Sequence, residues 1–436
     1  MRKCSNYCGV LTGIAWLLGS LGSTHYAAGQ PSFIGVDSLT GSGVQQLAGL
    51  DVSNSQPVSV IGTAMTVLSE APFSWTQATG TSFLPNTLFP APSIGFAFVN
   101  AISGDGSATV GVSATVTASE AFIWTHSSGM TLLGDLAGGQ TSSEAKGISS
   151  DGLAVVGVGE SASGQEAFLW TQAGGMIGLG DLSGGVFNSI ATSTSADGFV
   201  VVGLSESTAG IEVFRWTQTD GMVGLGLTTS EFFFKPRISA DGTTVVGNVS
   251  PALGTGEAFR WTAGNGVVLL GDGGGLFSNS YATGVSGDGE IVVGTANTPS
   301  FQNVPFVWTP VAGMMPLNDL LVSGFGLDTS AWRIFGASAI SDDGTVILGS
   351  GHRLLGSFTG FFVATIGPLP RCAGDADGNG VVDFADVTSV LGNWQNSYGT
   401  ATGPADADGS GVIDFSDITT ILGNWNVTCP SHHSLR

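Results

Sequence analysis

Charge is scarce in this chain, and positive charge most of all: 11 Lys and Arg stand against 33 Asp and Glu in 436 residues. A net charge of −22 repels the phosphates of nucleic acid and of anionic lipid, so no nucleic-acid partner is expected. No stretch approaches the roughly 20 apolar residues that a spanning helix requires, so no membrane span is expected either. Histidine is limited to His25, His126, His352, His432 and His433. Among them no Ser/His/Asp order, Cys/His pair, phosphate loop or zinc spacing stands out, and no catalytic residue is assigned. With 42% hydrophobic and 10% charged residues, the balance is that of a folded chain with an ample core.

The N-terminus runs from Met1-Arg2-Lys3 through an apolar stretch at Gly9 to Leu18 and reaches small residues at Ala27-Ala28-Gly29. That order is the pattern of a secretory signal peptide over residues 1–29, and it predicts a secreted protein, extracellular or at the cell surface. Cleavage there removes Cys4 and Cys8 and leaves Cys372 and Cys429 as the remaining cysteines. In an oxidising compartment they are expected to form a disulfide, two free thiols being the alternative.

What the chain has in quantity is glycine, 69 residues against 16 prolines, set among short β-branched runs that point to an all-β body. Tryptophans recur at Trp75, Trp124, Trp170, Trp216, Trp261 and Trp308, at intervals of 49, 46, 46, 45 and 47 residues. Ser-x-Asp-Gly turns accompany them at Asp105-Gly106, Asp151-Gly152, Asp197-Gly198, Asp241-Gly242, Asp288-Gly289 and Asp343-Gly344. In the third unit the inner strand lies around Ala145–Ser149, the second at Ala154–Gly157, the third at Glu166–Trp170 and the fourth at Met176–Leu182. Four antiparallel strands in each period of 40 to 50 residues are the signature of a β-propeller blade. The last repeat stops at Pro368 without a fourth strand, while Phe33–Leu39 matches Met176–Leu182, so the N-terminal strand is expected to close the final blade of seven, six or eight blades being the alternatives. The segment from Leu321 to Trp332 is an insertion with no place in this scheme.

This repeat resembles the HAF repeat of extracellular bacterial proteins over roughly residues 33–366, named for a His-Ala-Phe run before the tryptophan. Here the His position holds Glu120, Glu166, Glu212 and Glu257. The resemblance implies architecture and location and carries no chemistry. Because these glutamates each begin a third strand, they form a candidate acidic rim, either solvated or open to a cation or a basic segment. The Asp-Gly turns are expected to be structural, with Asp bonding local backbone and Gly at positive φ. The tryptophans are expected to fill the wedges between blades.

Two segments near the C-terminus have the spacing of calcium loops. The first places Asp375, Asp377, Asn379, Val381, Asp383 and Asp386 at positions 1, 3, 5, 7, 9 and 12, and the second places Asp406, Asp408, Ser410, Val412, Asp414 and Asp417 there. Side-chain oxygens at five of these positions, a backbone carbonyl at the seventh and a glycine at the sixth encircle a hard cation, so two calcium ions are expected. Each loop leads into a near-copy helix, Val387–Trp394 or Ile418–Trp425, with one apolar stripe, and the two stripes are expected to face each other. The tandem resembles a type I dockerin domain over residues 372–429, which implies calcium-dependent docking to a cohesin-like or other cell-surface partner. Loop positions 10 and 11 are Phe384-Ala385 and Phe415-Ser416, where the cellulosomal family often carries a hydroxyl pair that reads the cohesin.

The expected organisation is a signal peptide (1–29), an all-β seven-bladed propeller (30–366), a linker (367–371), a small α-helical dockerin-like domain clasped by Cys372 and Cys429 (372–429), and a tail (430–436). The expected function is non-catalytic binding or scaffolding outside the cell. The alternative is a polysaccharide-degrading, glycoside-hydrolase-like propeller delivered by its dockerin.

Overall fold

A computed structural model describes residues 31–36, 44–55, 57–66, 70–84, 95–115, 118–229, 235–252, 255–354, 359–367, 384–392 and 415–423. Its strands follow one another in groups of four. After β1 (Ser32–Val36) come β2 (Val44–Val52), β3 (Ser59–Thr66), β4 (Glu70–Thr76) and β5 (Gly80–Phe83), then β6 (Gly95–Ile102), β7 (Ala108–Thr115), β8 (Ser119–Thr125) and β9 (Gly129–Leu132). The next two groups are β10 (Gly138–Ile148), β11 (Ala154–Ser161), β12 (Gly164–Thr171) and β13 (Gly175–Gly178), and β14 (Gly184–Thr194), β15 (Val200–Ser207), β16 (Gly210–Thr217) and β17 (Gly221–Thr229). They are followed by β18 (Arg237–Ile238), β19 (Thr244–Ala252), β20 (Thr255–Thr262) and β21 (Gly266–Leu269), and by β22 (Asn279–Val285), β23 (Val292–Asn297), β24 (Asn303–Thr309) and β25 (Gly313–Pro316). Only three consecutive strands close the series: β26 (Trp332–Ile340), β27 (Val346–Arg353) and β28 (Thr359–Thr365).

The strand missing from that last group is β1, which pairs antiparallel with β28 from Ser32 opposite Thr365 to Val36 opposite Phe361. The strand expected over 33–39 is therefore present over Ser32–Val36, its remaining residues lying outside those described. Phe33 stacks on Phe362 with ring centroids 5.4 Å apart, and Gly35 passes directly beneath the Trp332 indole, where a Cβ would overlap the ring. Closure thus uses a ring stack on one residue and an absent side chain two residues on.

Within each group one contact recurs. A phenylalanine two residues before the tryptophan position lies opposite a glycine of the preceding strand: Phe73 and Gly62, Phe122 and Gly111, Phe168 and Gly157, Phe214 and Gly203, Phe259 and Gly247, Phe306 and Gly294, Phe362 and Gly349. All of these rings are fully buried. A Cβ on Gly157 or Gly203 would meet both the ring and a carbonyl of the inner strand, Glu144 or Ile190. The tryptophans contribute at the margins of the same cores: Trp75 and Trp308 are buried, and Trp124, Trp170, Trp216 and Trp261 are half-buried against them. In β13 the fourth strand is shorter than the expected Met176–Leu182, because Leu179 and Leu182 turn inward to fill the core. The outer strands β5, β9, β13, β21 and β25, four residues each, leave little free edge for another sheet to extend, whereas β17 is longer.

The Asp-Gly turns share one hydrogen-bond scheme. The Ser hydroxyl donates to the Asp carboxylate and accepts the amide five residues on, as for Ser149, Asp151 and Ala154 at 2.6 and 2.9 Å. The glycine takes φ near +74° in Gly152 and Gly198. From Gly104 to Asp342, the carbonyl of the residue between Ser and Asp then accepts an amide of the preceding turn. Asn54 N–H donates to Gly104 O, Asp105 N–H to Ser150 O, Ser150 N–H to Ala196 O, Ala196 N–H to Ala240 O, Asp241 N–H to Gly287 O and Gly287 N–H to Asp342 O, at 2.7 to 3.1 Å. The Asp342 N–H donates to Asn54 Oδ1, so the circuit returns to its start.

The insertion after β25 forms a helical turn, α1 (Leu317–Asp319), continued by a π-helical turn (Leu320–Gly324). Leu317, and Leu321, Phe325 and Leu327 of the segment left unplaced from sequence, pack with Ile366 over the closing group. Near the C-terminus α2 (Phe384–Gly392) and α3 (Phe415–Gly423) lie against each other. Val390 and Ile421 are fully buried, whereas Leu391 and Leu422, expected on the same stripe, are 54% and 58% exposed. Among the described residues no helix is long and apolar enough to cross a membrane.

Gly35→Val should push the indole of Trp332 off β1 and lower the melting temperature with loss of monomer in size exclusion, whereas Gly264→Ala, which meets nothing, should change neither. An unaltered melting temperature for Gly35→Val would show that β1 does not latch the last group.

Candidate functional site

Six of the seven inner strands, all but the two-residue β18, carry a β-bulge three residues before the turn serine, at Leu50, Asn100, Lys146, Thr192, Thr283 and Ser338. The bulge aims polar side chains at the neighbouring inner segment: Asn100 Nδ2 donates to Ala145 O at 2.8 Å, Thr192 Oγ1 to Pro236 O at 2.7 Å and Thr283 Oγ1 to Ala337 O at 2.9 Å. Beyond the bulge the inner segments surround a cavity of 110 Å³, bounded below by the turn circuit.

Two residues before the turn serine, Ala101, Gly147, Ser193, Gly284 and Ala339 border this cavity with small side chains, and at the same rank stand Asp51 and Arg237. A fold repeated this closely tends to place like residues at like ranks, so one acid and one base among small residues mark the point of departure. Asp51 is committed to the protein: its Oδ1 accepts the Val52 amide at 2.9 Å and its Oδ2 the Ile102 amide at 3.1 Å. Burial nevertheless raises its pKa, outweighing the attraction of Arg237 and both amides. Below it, Asp342 accepts hydrogen bonds from the Ser150 hydroxyl at 3.2 Å and from Asn54 Nδ2. Burial dominates there as well, and with added repulsion from Asp51 and Asp343 it raises the Asp342 pKa to about 6.

Above the rank of Arg237 come Lys235, on the same inner segment, and the bulged Lys146, whose ammonium pairs with Glu144 at 2.9 Å. Lys235 reaches solvent at the mouth, yet protein surrounds it closely enough for burial to lower its pKa to about 8, assisted by repulsion from Arg237 and Lys146 and opposed by Glu144. A wider hollow of 490 Å³ lies beside the mouth, lined by Asn100, Glu144, Glu160 and Gln165 among others. Its charged lining at Glu144 is already bound by Lys146 and by Asn100 Nδ2 at 3.0 Å.

Of the residues singled out from sequence, the rim glutamates are half-buried and three have definite tasks. Glu120, Glu166 and Glu212 accept the amides of Gly134, Gly180 and Gly226 at 3.1, 2.9 and 2.7 Å, holding the outer turn of their own group. Those glycines sit at φ of 82°, 78° and 72°. Glu257 is half-buried at the matching place. Of the calcium-loop positions, Asp375, Asp377, Asn379, Val381, Asp383, Asp406, Asp408, Ser410, Val412 and Asp414 lie outside the described residues, as do Cys372 and Cys429. Asp386 is the third residue of α2, and Asp417 is fully buried in the first turn of α3. Sequence reasoning missed Asp51, Arg237 and Asp342 altogether. The available signal was their departure from the small residues at the same distance from each turn serine.

No family model matches this sequence, and no curated protein does. Among solved structures the chain is similar to TolB from Acinetobacter baumannii, at 13% identity, 62% of each chain covered and a TM-score of 0.40, so that it spans about three fifths of that protein. It is similar also to the beta-propeller domain of the Trilobed protease from Pyrococcus furiosus, at 13% identity over 74% of this chain and 95% of that chain with a TM-score of 0.45. An oligogalacturonate lyase in complex with manganese matches at 9% identity over 78% of this chain and 97% of that chain, with a TM-score of 0.47. No activity, metal or substrate transfers from likenesses of this strength.

The raised pKa of Asp342 gives a pH signature. Below about pH 4 the carboxyl is protonated folded and unfolded; between there and pH 6 the unfolded chain releases the proton while the folded one keeps it, so stability falls as pH rises and levels off above 6. Two units correspond to roughly 3 kcal/mol. Asp342→Asn retains an acceptor for Ser150 and Asn54, and the difference between its denaturation free energy and that of the parent should grow across this window. A pH-independent difference would refute the assignment.

Proposed function

We propose that the chain is a secreted, calcium-binding protein with a non-catalytic binding or scaffolding role, built as a seven-bladed β-propeller followed by a dockerin-like module that docks to a cell-surface partner when calcium is bound. The propeller reading is supported by the four-strand groups, the completion of the last by β1, and the circuit of turn hydrogen bonds from Asn54 to Asp342 and back.

The observation that carries the calcium reading is the duplicated loop followed by a duplicated helix. The two helices are in contact, and the matched Val390 and Ile421 are both fully buried, as a pair of half-hands requires if neither can bury its apolar stripe alone. Asp417, at the twelfth loop position, is wholly withdrawn from solvent in the first turn of α3, a placement that fits an inward-facing ligand. Leu391 and Leu422 stand exposed at equivalent positions and offer a partner a pair of apolar contacts. A non-catalytic role accords with the carboxylates of the repeats, which bind their own turns.

Native mass spectrometry of the full chain should show two bound calcium ions, reduced to one by Asp375→Ala or by Asp406→Ala. One ion or none in the parent protein would end this reading. A broad panel of glycoside and peptide substrates should meet no turnover; hydrolysis that disappears with a single cavity carboxylate would reassign the protein as an enzyme.

A further inference from the structure

Three cationic side chains stand close to one another at the central cavity. Lys146, Lys235 and Arg237 belong to inner segments there, out of only 11 Lys and Arg in the sequence. Their circumstances differ from those of the acids beside them. Asp51 gives both oxygens to backbone amides, Asp342 accepts from Ser150 and Asn54, and Glu144 is shared by Lys146 and Asn100. Arg237 lines the cavity, and among the described residues its guanidinium has no hydrogen bond and no ion pair; Lys235 has none either. The nearby acids thus bond groups of the chain, whereas among the described residues Arg237 and Lys235 feel only the longer-range attraction of Asp51 and of Glu144.

A cation held in a narrow cavity without a partner is costly, since burial strips away water and supplies nothing in exchange. Among the described residues the N–H donors of Arg237 therefore have no acceptor, Asp51 having given both of its oxygens to backbone amides. The planar fork of Arg237 matches the two oxygens of a carboxylate or phosphate, and Lys235, two residues earlier, adds a point charge at the mouth. Gly147, Gly284, Ala101 and Ala339, at the level of Arg237, leave room for a ligand, and the Ser193 hydroxyl adds a further donor.

We propose that the central cavity is a binding site for a small oxyanion, a carboxylate or phosphate group, gripped by Arg237 with Lys235 at the entrance. This deepens the binding role proposed above by naming a ligand class for the β-domain, and it stands apart from calcium docking because the two experiments load different parts of the chain.

Isothermal titration of the full chain with malonate, and separately with inorganic phosphate in calcium-free buffer, tests it and distinguishes the two oxyanion sources. At least one anion should bind with one-to-one stoichiometry. Arg237→Gln should weaken binding tenfold or more and Lys235→Gln several-fold, while Arg215→Gln, away from the cavity, should leave it unchanged. Circular dichroism of each variant establishes that the fold persists, and Lys235→Gln, altering a residue at the mouth, serves as the test should Arg237→Gln fail to fold. Absence of binding by both anions to the parent protein, or affinities indifferent to Arg237→Gln and Lys235→Gln, would overturn the proposal.

Discussion

A phenylalanine ring laid on a glycine backbone is the contact from which the β-domain is assembled. It places the largest apolar group of each four-strand unit against a residue with no side chain, so that the second and third strands pack without a gap and the inner strand's carbonyl fits behind the glycine. Full burial of a phenylalanine is worth about 1.5 to 3 kcal/mol in transfer terms alone, and the contact recurs at Phe73, Phe122, Phe168, Phe214, Phe259, Phe306 and Phe362. Everything else in the unit follows from the position of that ring. Tryptophan two residues on falls at the margin, where it covers the adjacent core, and the inner strand is left facing the centre.

Adjacent units are joined by polar links that the apolar contacts cannot supply. The bulged Asn100, Thr192 and Thr283 reach across to neighbouring carbonyls, and the turn residues form their circuit on the side of the Asp-Gly turns. A seam in such an arrangement is its weakest point, and here the seam is covered twice: β1 pairs with β28, and Leu317 and Leu321 pack over the closing group. Where the circuit crosses from Asp342 to Asn54, backbone gives way to side chains, so the joint places a carboxylate at the base of the cavity.

The repeat was legible in the sequence because tryptophans and Ser-x-Asp-Gly turns recur at nearly constant spacing, and local chemistry determines both. A serine bonding its own aspartate two residues on, with glycine at positive φ, needs no distant partner to be recognised. The same locality made Phe33–Leu39 recognisable as a strand without a group. Less legible were lengths and faces. Leu179 and Leu182 were expected in an outer strand and instead turn into the core, and Leu391 and Leu422 were expected in a buried stripe and instead face solvent. In each case an apolar residue has two available surfaces, and the choice is made by which neighbour has room.

The sequence by itself determined the all-β character, the period, the turn chemistry, the acidic balance and the duplicated loop-helix pattern near the C-terminus, because each is written in contiguous residues. Only the tertiary structure decided that Asp51 and Arg237, on strands far apart in the chain, share one level of one cavity, and that Glu120, Glu166 and Glu212 hold glycine amides in place of standing free at a rim. Charge and hydrogen bonding act through space, and the distance between two groups is set by how the inner strands converge, which no stretch of local sequence specifies.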